Sequence, residues 1–148
     1  MSKKILLVII LLVVLVGAII LIIPKNNIKY IVIKDGYSDY ESKIISNYQE
    51  YIEFVNYINL QNKNYGKVYN FNSEKYDEEY FDNKSLAIIN IIIGNSSNSL
   101  KNIDISVIDN ILVCKANIES GNGITDNING KLILVEIDKS VTEFKIEK

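Results

Sequence analysis

Leu86-Ala87-Ile88-Ile89-Asn90-Ile91-Ile92-Ile93 is apolar at every position but Asn90. It is bounded by Asp82-Asn83-Lys84 on one side and by Gly94-Asn95-Ser96-Ser97-Asn98-Ser99 on the other. A short, β-branched run between turn residues reads as a strand. With no polar side to turn to water, it reads as a central strand covered on both faces. Working outward, Ile103, Ile105 and Val107 alternate with Asp104 and Ser106, and Asp109-Asn110 separates them from a second strand, Ile111 to Ile118. Beyond a polar loop from Glu119 to Gly130, Leu132 to Ile137 and Val141 to Ile146 read as two further strands.

Upstream of the central run the rhythm is helical. Tyr48, Tyr51, Ile52, Val55 and Ile58 recur at three- and four-residue spacing, with Glu50, Glu53 and Asn56 turned away from them. Ser46, three residues before Gln49, has the spacing of a capping box. Ser73 is placed to cap a short helix carrying Asp77, Glu78 and Glu79, whose carboxylates suit a helix N-terminus. Ile28 to Lys34 reads as a strand stopped by Asp35-Gly36. The expected fold is α+β, an antiparallel sheet of four to six strands packed with one or two helices.

At the N-terminus, Ile5 to Ile23 is an uncharged run preceded by Lys3 and Lys4 and closed by Pro24 and Lys25. Its length matches a bilayer core, and the leading lysines favour a cytoplasmic N-terminus. The expected organisation is therefore a single transmembrane signal-anchor in residues 1–25 and an extracytoplasmic domain in residues 26–148, localised to the cell membrane. A cleaved signal peptide is the alternative, disfavoured by the length of the run and the lack of a small-x-small cleavage site.

The chain has 16 Lys+Arg, all lysine, 18 Asp+Glu and no histidine, for a net charge of −2. Without arginine or a basic stripe, no nucleic-acid partner is expected. Abundant Ile, Asn and Lys without Arg resembles the codon bias of an A+T-rich bacterial genome. The single cysteine, Cys114, excludes an intramolecular disulfide and alternates with Lys115 in a pattern that buries it. No histidine is present to activate it as a nucleophile. The acidic cluster Asp77, Glu78, Glu79 and Asp82 lacks calcium-loop spacing. The glycines of Glu119–Gly130 lack the spacing of a phosphate loop. No cofactor and no metal are expected.

Lys75-Tyr76-Asp77-Glu78-Glu79-Tyr80-Phe81-Asp82-Asn83-Lys84-Ser85-Leu86-Ala87-Ile88-Ile89 resembles the opening pattern of the PrcB-like C-terminal domain family of bacterial extracytoplasmic proteins. Leu132 to Lys139 is similar to that family's penultimate strand and exit turn, and Ile45 to Tyr51 to the helical element ahead of them. The resemblance implies a partner role in stabilising a surface protease complex and supplies no catalytic residue. The expected function is a non-enzymatic, membrane-tethered domain that binds an envelope or surface protein. The alternatives are a small cell-wall hydrolase using paired carboxylates and a self-associating accessory domain. The expected binding surface is the helix flank bearing Tyr51 and Tyr57, or the loop bearing Asn122 and Asp126.

Overall fold

The computed structural model describes residues 28–123 and 127–148. In chain order its elements are β1 (Tyr30–Asp35), β2 (Lys43–Ile45), α1 (Tyr48–Tyr65), a 3-10 turn (Ser73–Lys75), α2 (Tyr80–Asn83), β3 (Lys84–Asn95), β4 (Ser99–Ile108), β5 (Ile111–Glu119), β6 (Ile128–Asp138) and β7 (Glu143–Glu147). The fold is α+β as expected, but its strands form two sheets. A four-stranded antiparallel sheet has the order β1-β6-β3-β2, and a three-stranded sheet the order β4-β5-β7.

The reason lies in β3. Its Leu86 and Ile88 face α1 in one core, with Phe54, Tyr51 and Ile58 from the helix and Leu132 and Leu134 from β6. Its Ala87, Ile89, Ile91 and Ile93 face the second sheet, meeting Ile105, Leu112, Cys114 and Ala116. A strand apolar on both faces needs two covers, so α1 takes one and the second sheet the other. The result is three layers: helix, four-stranded sheet, three-stranded sheet. The expectation of one antiparallel sheet is corrected on a second count, because β7 pairs parallel to β5.

Local signals explain the element ends. Asp109 and Asn110 both have positive φ, 51° and 63°. This is the left-handed pair that a two-residue hairpin turn between β4 and β5 requires. The cap of α1 lies one residue later than the sequence suggests. Asn47 accepts from the Glu50 N–H at 2.9 Å, and Glu50 Oε2 accepts from the Ser46 N–H at 2.8 Å. Glu50 thus does the work expected of Gln49. At Gly130 the backbones of β6 and β3 come so close that a Cβ there would lie 2.8 Å from the Ile91 carbonyl oxygen.

Among the described residues no helix is long and apolar enough to cross a membrane. The described residues therefore give no support to the expected transmembrane helix, the membrane contact through residues 5–23 or the single-pass cell-membrane localisation. The run Ile5–Ile23 itself lies outside the described residues.

Candidate functional site

The tyrosines expected to meet a partner are mostly committed to the fold. Tyr51 is 1% exposed and sits among the rings of Tyr48, Phe71, Tyr76 and Phe81, donating its hydroxyl to the Ser73 carbonyl at 2.7 Å. Tyr57 is half-buried; its hydroxyl donates to Asp39 and lies 3.1 Å from the Tyr69 hydroxyl. Burial, reinforced by the bonds to Asp39 and Tyr69, drives its pKa far above the ordinary phenol value. Asn122 is exposed in the β5–β6 loop, and Asp126 lies outside the described residues. Tyr37 and Tyr65 are exposed, whereas Tyr69 is buried.

Cys114 is fully buried between the sheets, and burial pushes its thiol up to about 11. Asp77, Glu78, Glu79 and Asp82 are all exposed, with Asp77 accepting from the Tyr80 N–H at 2.9 Å. Among the described residues no group of three metal-ligating side chains comes together.

Two carboxylates do share one depression. Glu136 and Asp138, two apart on β6, line a concavity of about 380 Å³ with Lys84 and Ser140. Burial pushes Glu136 up, but hydrogen bonds from Lys75 and Tyr76, helped by the charges of Lys75 and Lys84, outweigh it and hold the carboxyl below its usual value. Asp138 is paired with Lys84.

The most continuous apolar exposure lies on β1. Tyr30, Ile31 and Val32 are 37%, 44% and 37% exposed, three consecutive large residues on an outermost strand. Among the described residues β1 pairs only with β6, so its other edge has no strand partner among them. Ile28 packs against the core between the sheets and Ile33 belongs to the core under α1. Alternation therefore sends Tyr30 and Val32 toward the side of the second sheet, and Lys29 and Ile31 toward the helix side. Neither cover extends far enough to bury them.

A depression lies on each side of this edge. On the helix side, Ile31, Lys75, Leu134 and Glu136 line about 410 Å³. On the other, Tyr30, Ile103, Asp104 and Ile105 line a second of about 410 Å³, where the rims of the two sheets meet. Two backbone bonds mark the ends of the open edge. Ile28 donates to the Ile105 carbonyl at 3.3 Å, and Asn70 donates to the Ile33 carbonyl at 2.8 Å. A register shift between Val32 and Lys34 places Ile33 and Lys34 on the same side, as a bulge does. Lys34 Nζ consequently lies over the Tyr69 ring, 4.7 Å from its centroid.

Sequence reasoning identified β1 as a strand but not as an edge, so it missed Tyr30, Ile31 and Val32. The available signal was the bracketing of an apolar run by Lys29 and Lys34, a pattern that guards exposed strands against indiscriminate pairing. The chain matches no known family model, no curated protein and no solved structure.

Proposed function

We propose that this domain is a non-catalytic protein-binding module that receives an extended segment of its partner along β1. The carrying observation is the open edge of β1, with exposed Tyr30-Ile31-Val32 between two depressions. Side chains of an added strand alternate between faces, and the two depressions lie where successive side chains would go. Main-chain hydrogen bonds supply the affinity in such a complex, and the depressions supply selectivity. The resemblance of residues 75–89 to the PrcB-like domains points to the same class of function. The hydrolase alternative finds less support, because the carboxyl of Glu136 is lowered where an acid catalyst needs one raised.

A photo-crosslinking residue at position 31 of the full chain, compared with one at exposed Glu53 on α1, tests this reading. Support consists of adducts at position 31 that map to one extended segment of another protein and vanish on Val32→Lys. Equal capture from position 53, or adducts indifferent to Val32→Lys, would refute it.

A further inference from the structure

Which segment β1 accepts is written in the charges that bracket it. Six ion pairs among the described residues occupy Lys75, Lys84, Lys101, Lys115, Lys131 and Lys145. Among the described residues no carboxylate lies within ion-pair distance of Lys29 or Lys34, although the chain as a whole carries more acidic than basic groups. Lys29 is exposed at the open end of the edge. Lys34 is half-buried at the far end, its Nζ 3.4 Å from the Tyr69 hydroxyl. Lys34 stands on the helix side with the Tyr69 ring, and Lys29, just before β1, borders the depressions on both sides; the exposed apolar triplet separates the two lysines.

We infer that β1 selects a strand whose short apolar centre is bracketed by carboxylates. This rests on the strand-addition reading and deepens it. The Ile28 bond to Ile105 and the Asn70 bond to Ile33 limit the open edge to residues 29–32, so the added pairing is about four residues, roughly 14 Å, long. Within that length the residues opposite Tyr30 and Val32 face the second sheet, where Ile103 and Ile105 favour apolar side chains. The residue opposite Lys29 faces the helix side, where a carboxylate completes an ion pair. A carboxylate at the other end approaches Lys34, the weaker partner because the Tyr69 ring already engages it. A lysine-bracketed strand would set like charges opposite one another, which disfavours a second copy of β1 as the occupant.

Two labelled nonapeptides test this against the full chain by fluorescence anisotropy. Both have a Val-Ile-Val centre; one is flanked by Glu and the other by Lys. The Glu-flanked peptide should bind about tenfold more tightly at low salt, the combined scale of two exposed ion pairs gained against two repulsions. The gap should close as salt rises, and Lys29→Glu should reverse the preference. Equal affinity for both peptides, with both lost on Val32→Lys, would overturn the charge selection while leaving strand addition standing. Binding of either peptide that survives Val32→Lys would overturn both. Concentration-dependent dimers of the full chain abolished by Val32→Lys would make a second copy the occupant and overturn the acidic partner.

Discussion

Replacing Tyr51 separates a structural hub from a binding residue. In Tyr51→Phe the ring stays and only the hydroxyl donated to the Ser73 carbonyl at 2.7 Å is lost. Ser73 is half-exposed, so water can reach the freed carbonyl and the cost is that of one hydrogen bond, about 1 kcal/mol. For a folded unit of about 120 residues this lowers the melting temperature by about 4 °C. In Tyr51→Ala a side chain only 1% exposed disappears from between four other aromatic rings. The cost rises to about 3–5 kcal/mol, a large part of the stability of a typical domain. Urea denaturation of the full chain followed by far-UV circular dichroism measures both. Partner binding by Tyr51→Phe should be unchanged at temperatures where it is folded. An unchanged melting temperature in Tyr51→Phe, or a loss below about 1 kcal/mol in Tyr51→Ala, would refute the hub and return Tyr51 to the surface.

Gly130→Ala should destabilise by about 1–3 kcal/mol in the same assay, because its Cβ meets the Ile91 carbonyl oxygen at 2.8 Å and backbone cannot swing aside. Stability should also fall on the alkaline side. Cys114 rises from 9.0 to about 11 through burial, and Tyr40 from 10.0 to about 12 through burial and the nearby Glu53 and Glu50 charges. A raised pKa gives stability that is whole below the unfolded value and lost as pH passes the folded one, so the decline should run from about pH 9 to 12. Cys114→Ala should flatten the lower part of that decline, read from urea midpoints against pH. Val32→Lys should leave the melting temperature within about 2 °C of the parent, since its side chain is exposed on an edge. Asn122→Ala, in an exposed loop, should likewise leave it unchanged.

Much of the fold was legible because period and punctuation agree there. The apolar run 86–93 announced a strand covered on both sides, and Asp109-Asn110 marked the break between two successive strands. What periodicity does not carry is which strands pair. Alternation in β4, β5 and β7 looks the same whether they extend the first sheet or build a second one, so the split and the parallel β5–β7 pair were invisible. Phe54 shows the same limit in the helix. It is fully buried at the centre of the α1 face, yet the three-and-four spacing was satisfied without it. The site was less legible than the fold. Tyr51 and Tyr57 looked available because an amphipathic tyrosine reads alike in a core and on a surface. Only the positions of Ser73, Asp39 and Tyr69 decide between the two. Conversely Tyr30 and Val32 were read only as part of a strand until β1 proved to be an edge.

Amide hydrogen exchange of the full chain, with and without the bound Glu-flanked nonapeptide, tests strand addition at β1 most directly. New protection should appear at amides within Lys29–Val32, with the exposed flank of α1 and residues 119–123 unchanged. Protection confined to that flank or to the β5–β6 loop, with the β1 amides exchanging as before, would contradict it.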